Sequence, residues 1–310
     1  MGGFTMQNRR TFIRNLGAGS AGILVLGGPL RAFAKNELLQ LTILHTNDFH
    51  SHIDPFPKDA ARNAGEGGMA RRAAMIQQIR AEQKNVLVFD AGDIFQGTPY
   101  FNYYKGELEL KLMTEMGYDA ATIGNHDLDN GLEGFNSQLR NAGFPFINSN
   151  YDFSGTILAG KVLPYKIFRK QGIKIGVYGL GIELDGLVSK QNYGSIKYLD
   201  PLEQALKMEA FLKNEKKADL IVCLSHLGYS YKEKKTGDLN IAAETCHTDL
   251  IIGGHTHTFL KKPDSVTNKS GQTVLVNQVG FGGLILGRID FFFEKEGRKH
   301  SKADDNIPIK

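Results

Sequence analysis

Five short apolar runs in this chain each end in a cluster of His, Asp or Asn, and that recurrence narrows the possible folds more than any other feature. Residues 43–44 lead to Asp48 and His50, 86–89 to Asp90 and Asp93, and 121–123 to Asn125, His126 and Asp127. Residues 220–224 lead to His226, and 250–252 to His255 and His257. Apolar runs of this length bounded by polar residues read as strands, predicted over 38–44, 86–89, 120–123, 144–147, 173–178, 220–224, 250–252, 273–276 and 284–293. Amphipathic stretches between them predict helices over 69–83, 107–116, 132–141, 201–217 and 238–245. Met69, Ala73, Ile76 and Ile79 share one helical face, and Pro201 suits a first helical turn capped by Asp200. The alternation predicts an α/β layered domain with a largely parallel core. The long runs 161–178 and 273–293 read as hairpins, which makes the sheets mixed, and the charged stretch 294–310 reads as a frayed tail. Ligand sites in α/β sheets lie beyond the carboxyl ends of strands, so five such termini bring their polar side chains to one edge.

No one motif decides the chemistry. With 18 Asp and 9 His in 310 residues, Asp-x-His is expected about 0.5 times by chance. Gly254-His255-Thr-His257 is expected only about 0.03 times, and Gly124-Asn125-His126-Asp127 below about 0.01 times, so the set is not accidental. Imidazole and amide donors mixed with carboxylates, without thiolate, suit zinc, manganese or iron better than calcium or an all-oxygen magnesium cage. More ligands than one tetrahedral ion uses imply two divalent ions, the arrangement that clamps both oxygens of a phosphoryl transfer.

In order along the chain, Leu44-His-Thr-Asn-Asp48-Phe-His50, Asp90-Ala-Gly-Asp93-Ile-Phe-Gln-Gly-Thr-Pro99, Gly124-Asn-His-Asp-Leu-Asp129, Ser225-His226 and Gly254-His-Thr-His257 resemble the calcineurin-like metallophosphoesterases. Among these, the chain looks most like the catalytic domain of bacterial periplasmic 5′-nucleotidases, over about residues 38–294. The resemblance implies a four-layer αββα sandwich with two metal ions at its edge. It implies that Asp48, His50 and His257 bind one ion, that Asn125, His226 and His255 bind the other, and that Asp93 bridges both. A hydroxide held by the ions would attack phosphorus in line with the leaving oxygen of a phosphate monoester, most often a 5′-nucleotide. Asn125 and His126 would meet the phosphate; His126 would stabilise charge or protonate the leaving alkoxide, oriented by Asp129. Asp127, where relatives often carry Glu, reads as a local structural residue. The same ions serve cyclic nucleotides and nucleotide sugars, and a related branch hydrolyses sulfur esters on a carrier protein. The 5′-nucleotidases continue into a second domain that stacks the base. The chain's end at Lys310 raises the expectation of a separately encoded nucleotide-binding partner, of a less selective phosphatase acting alone, or of a binding subunit without activity.

The N-terminus reads as an export leader over residues 1–34, ahead of a catalytic domain over 35–295 and a polar tail over 296–310. Arg9-Arg10-Thr11-Phe12 precedes a Gly-rich apolar run and the small-x-small pattern Ala32-Phe33-Ala34, which resembles a twin-arginine signal, although Asn8 leaves the general secretory route open. The run over 16–30 is shorter than the ~20 residues of a spanning helix and broken by glycines, so no stable membrane anchor is expected and the mature protein is expected in a periplasm or outside the cell. Residues 1–34 hold four arginines and no acid, leaving 33 basic against 33 acidic residues in the body. The net charge of +4 therefore points to no nucleic acid duplex as partner. Gly17-x-Gly19-x-x-Gly22 satisfies the dinucleotide pattern, but no strand precedes it. Two cysteines exclude a disulfide scaffold, and their pairing stays open. His45 and His52 read as packing or supporting residues, His247 and His300 as solvent-facing. Phe95, Tyr100, Tyr103 and Phe281 read as surface packing rather than as a site mouth.

Overall fold

The computed structural model describes residues 38–294 and 299–310. The readings of the export leader lie outside the described residues. Residues Glu37–Lys310 group into one compact unit. Among the described residues the first half runs β1 (Leu39–Thr46), α1 (Met69–Glu82), β2 (Val86–Asp90), α2 (Pro99–Tyr104), α3 (Glu107–Glu115), β3 (Ala120–Ala121), α4 (Gly131–Gln138) and β4 (Tyr151–Asp152). The hairpin β5 (Tyr165–Lys170) and β6 (Ile173–Gly181) follows, then α5 (Lys190–Tyr193), β7 (Lys197–Tyr198), α6 (Pro201–Asn214), β8 (Leu220–His226), α7 (Asp238–Glu244) and β9 (Leu250–Gly253). The chain closes with β10 (Asp264–Thr267), β11 (Thr273–Asn277), β12 (Ile285–Phe293), β13 (Lys299–Ala303) and β14 (Ile307–Pro308).

Two mixed sheets form the centre. One has the order β13-β12-β1-β2-β3, with β14 also on β12; the other has β10-β11-β9-β8-β6-β5. Side-chain alternation along each strand assigns the layers. Leu41, Ile43, Leu87 and Phe89 of the first sheet meet Val177, Val222, Leu224 and Ile252 of the second in one buried cluster. The opposite faces carry Leu44, Val86 and Val88 against Met69, Ile76 and Ile79 of α1 and Leu110 and Met113 of α3. Across the molecule, Ile221, Cys223 and Ile251 pack on Ala205 and Leu212 of α6 and Ile241 of α7. The result is helix, sheet, sheet, helix, the expected αββα sandwich. Strands buried on both faces explain why the sequence shows continuous apolar runs rather than alternation. Each fully buried aliphatic side chain contributes about 1.5–3 kcal/mol, so the central strands are the rigid frame of the site. Asp200 caps α6, accepting the Glu203 amide at 2.7 Å.

Three readings of the sequence need correction. The run 273–293 is no hairpin: β11 pairs with β9 and β10, while β12 pairs antiparallel with β1 in the other sheet. A loop containing Gly280, Gly282 and Gly283 carries the chain between sheets, and Gly282 N donates to Asp48 O at 2.8 Å. Of the stretch read as a frayed tail, the described residues 299–310 are ordered into the sheet, since β13 and β14 both pair with β12 and Ile309 is fully buried. Its Lys-rich composition is that of an edge strand, which disguised it. Residues 144–147 form only isolated bridges, to Ala121 and Leu163. Helix α2 and strand β10 were not foreseen, the first because its aromatics follow no helical period and the second because it alternates polar residues at an edge.

Candidate metal centre

Parallel pairing of β2 with β1 and β3, and of β8 with β6 and β9, sends the polar strand ends to a common edge of the sandwich. Two groups of ligating side chains assemble there, Asp48 with His50 and His257, and Asp93 with His226 and His255, each with one donor atom per residue within 4.8 Å of the others. In the first group His50 Nε2 lies 3.0 Å from His257 Nε2, and His257 Nε2 lies 3.3 Å from Asp48 Oδ1. In the second, His226 Nε2 lies 3.1 Å from Asp93 Oδ2. Asn125 joins that group, its Oδ1 being 2.9 Å from His255 Nδ1. Asp93 Oδ2 is also 3.9 Å from His50 Nε2, which sets this carboxylate between the groups.

The residues fit cations on chemical grounds. Carbonyl oxygens accept only, so His226 Nδ1, 2.6 Å from Ala91 O, and His50 Nδ1, 3.2 Å from Gln96 O, must carry the protons. Both rings therefore turn an Nε2 lone pair toward the centre. The fully buried His226 Nε2 has no aligned hydrogen bond there. Burial opposes a proton on His226, yet the Asp93 carboxylate carries its pKa up to about 10. The pocket thus favours positive charge, which a divalent cation supplies in place of a proton. Burial and the neighbouring His226 hold His255 down at about 4, keeping its lone pair free. Burial alone would raise Asp93, but His226 and the other histidines hold it below the usual carboxylate range.

The backbone is unusual where the ligands sit. Asp48, His50, Asp93, His255 and His257 adopt φ of 47°, 52°, 54°, 73° and 51°, the left-handed region that non-glycine residues rarely enter. What holds them there is a lattice of buried bonds. The Asp127 carboxylate accepts four backbone amides, from Asp93 at 3.0 Å, Ile94 at 2.9 Å, Phe95 at 3.2 Å and Gly124 at 2.8 Å, tying the loops after β2 and β3 together. Burial, then the Asp93 charge, raises Asp127 to about 7. Asp90 accepts Gly92 N at 2.9 Å and Thr46 Oγ1 at 2.5 Å. Gly124 has to be glycine: a Cβ there would lie 2.2 Å from Asp93 Oδ1 and 2.4 Å from Asp93 N.

His126 stands beside the centre and belongs to neither group. Its ring meets His50 edge-on at 5.4 Å, and its Nδ1 lies 2.8 Å from Asp129 Oδ2. That hydrogen bond raises the His126 pKa against partial burial.

The calcineurin-like phosphoesterase family profile matches residues 41–259. The chain belongs to that family. It is 36% identical to a snake venom 5′-nucleotidase of Naja atra over 86% of this chain and 53% of that protein. It is 37% identical to the 5′-nucleotidase of Vibrio cholerae over 91% of this chain and 54% of that one. A trifunctional nucleotide phosphoesterase of Bacillus subtilis is 33% identical over 85% of this chain and 19% of its own length. Among solved structures, a 5′-nucleotidase precursor from Thermus thermophilus superposes with a TM-score of 0.79 at 32% identity, over 87% of this chain and 54% of that one. The chain spans about half the length of the 5′-nucleotidases it matches.

Within this phosphoesterase fold, several side chains escaped the sequence reading. Asn47 donates to both Asp48 Oδ2 and Gly280 O at 2.6 Å and accepts Val279 N, pinning the crossing loop to the first group. Gln278 bonds Gly254 O and Thr258 N around the Gly254-His-Thr-His257 motif. Buried Asp238 accepts Ser225 Oγ beside His226. Asn47 neighbours a ligand in sequence, a usable signal; Gln278 and Asp238 offered none. His45 is a core residue, held by Asn277 at 2.7 Å, and Phe95 is buried in the hydrophobic core rather than packed at the surface as the sequence suggested. His52 stacks on Phe56, and Phe281 lies flat on His257, closer to the centre than surface packing implied. His300 is exposed while His247 is half-buried, and both cysteines are free thiols.

Proposed function

We propose that the chain hydrolyses phosphate monoesters, 5′-nucleotides foremost, at a centre of two divalent cations. The observation that carries this reading is the meeting of two ligand groups around Asp93 with the His126 and Asp129 pair alongside. Asp48, His50 and His257 would hold one cation, Asn125, His226 and His255 the other, and Asp93 both. Zinc, manganese or iron ions supply Lewis acidity for the phosphoryl group and generate a nucleophile from water near neutral pH. The chain does the rest. Asp129 accepts a hydrogen bond from Nδ1–H of His126, which holds the ring as an imidazolium whose Nε2 proton can go to the leaving ester oxygen. The Asn125 amide offers a dipole to a phosphoryl oxygen. Asp127 keeps the loops of Asp93 and Asn125 in register, so the donors need no rearrangement when ester binds. The twin arginines at Arg9 and Arg10 support export, and with it action on extracytoplasmic nucleotides.

Phosphate release from AMP, UMP and p-nitrophenyl phosphate, measured after chelation and after return of Mn²⁺ or Zn²⁺, tests the reading. Turnover that disappears with chelator and returns with metal is expected; no turnover under any metal overturns it. A second reading, hydrolysis of cyclic nucleotides, rests on the chemistry of paired divalent ions, which serve diesters as well as monoesters. Product analysis with 2′,3′-cyclic AMP separates the two.

A further inference from the structure

We propose that a groove beside the first ligand group seats the planar ring of the ester's leaving group, so that this chain carries a nucleobase subsite of its own. The proposal rests on the hydrolase reading for the phosphate end and on separate observations for the ring end.

The segment after His50 and the start of α2 enclose a cavity of about 620 Å³, within the range of small-molecule sites. Its lining holds two parallel aromatic pairs, His52 with Phe56 at 4.7 Å and 21°, and Tyr100 with Tyr104 at 6.4 Å and 19°. Aromatic chemistry runs without a break from the ligands into the groove. Phe281 lies flat on His257 at 5.2 Å and turns its edge to His52 at 6.4 Å and Phe56 at 6.2 Å. Thr98 Oγ1 donates to Ser51 O at 2.7 Å, which ties the α2 wall to the loop bearing His50. An ester whose phosphate sits between the ligand groups thus has an aromatic wall adjoining the first group, along which its substituent would lie.

The groove's chemistry selects the occupant. Among the described residues no Lys or Arg lines it, and its one charged group is Asp54, which accepts the Tyr100 hydroxyl. A second phosphate or an anionic surface finds no partner there. A neutral planar ring finds faces to stack on and, at Asp54, an acceptor for an exocyclic amine or a sugar hydroxyl. Tyr104 is 42% exposed and Tyr103 81%, so open ring surface already faces solvent where the ligand would enter. Stacking on aromatic side chains holds nucleobases in general, with modest dependence on base identity.

The test separates the ring from the phosphate. Metal-stripped full-length protein is titrated with adenosine and with ribose, following tyrosine fluorescence. Saturable binding of adenosine, none of ribose, and about tenfold weaker adenosine binding by Tyr104→Ala with retention by Tyr104→Phe are expected. In the metal-loaded protein, the ratio of kcat/KM for AMP over ribose 5-phosphate should fall about tenfold in Tyr104→Ala. Adenosine binding without hydrolysis of any ester sinks the hydrolase reading and leaves the ring subsite standing. Hydrolysis of both esters with a ratio indifferent to Tyr104→Ala overturns the subsite alone. A change in sedimentation of Tyr104→Ala, with adenosine binding intact, also overturns it and makes the groove a contact between copies.

Discussion

Replacing Asp129 by Asn asks whether His126 delivers a proton. The carboxylate lies 2.8 Å from His126 Nδ1, with side chains 29% and 35% exposed. A hydrogen bond to a charged partner contributes about 1.5–3 kcal/mol when shielded. Screening by water at this exposure reduces the figure to about 1 kcal/mol. At 1.36 kcal/mol per factor of ten, Asp129→Asn should lower kcat for AMP about fivefold. His126→Ala removes the donor itself and should lower it by about 10²–10⁴. The sign of the pH effect follows from the bond, which raises the His126 pKa and keeps the acid form present to higher pH. The basic limb of the kcat profile should therefore move to lower pH in Asp129→Asn. Both losses should shrink with p-nitrophenyl phosphate, whose leaving group needs little protonation. Steady-state rates across pH, with metal content by plasma mass spectrometry, check all of this. Loss of metal in His126→Ala, or equal losses for the two esters, would refute the proton-donor role.

Further outcomes can be checked alongside. Asp93→Ala should lose metal, because its carboxylate stands between both groups; a full complement by mass spectrometry would contradict that assignment. Gly124→Ala must displace the Asp93 loop and should cost about 10² in kcat/KM through misplacement alone, while wild-type kinetics would argue that the contact yields. Burial holds His45 at about 3, against 6.5 in the unfolded chain. Its stabilising effect is complete above about 6.5 and declines toward pH 3, on the order of 1.4 kcal/mol per pH unit, as the unfolded chain takes up a proton that the native core refuses. Urea titrations of His45→Gln should thus show a flatter acid decline than the wild type, and parallel declines would count against the linkage.

The ligand constellation was legible because each member sits at the end of a buried strand or just past it, where local sequence decides the structure. Parallel pairing then does the assembling, and the pattern of apolar runs announced it. Asp127 shows the limit. Three of its four amide bonds reach back to a loop more than thirty residues earlier, and nothing in the tetrapeptide Gly124-Asn125-His126-Asp127 reports those three. The exchange of sheets between β11 and β12 was hidden for a related reason. β12 finds its partner in β1, at the other end of the domain, so proximity in sequence suggested the wrong neighbour. The strands after Phe293 were masked by edge chemistry, where lysines protect open amides and look like a solvated tail.

Five of the seven proposed ligands occupy backbone conformations that cost roughly 1–2 kcal/mol each for a residue with a side chain, a sum comparable to the net stability of a whole domain. Evolution toward heat resistance and evolution toward catalysis should accordingly pull these positions apart. A library screened only for survival of heating should drift to glycine at 48, 50, 93, 255 and 257, growing tougher as it grows inert.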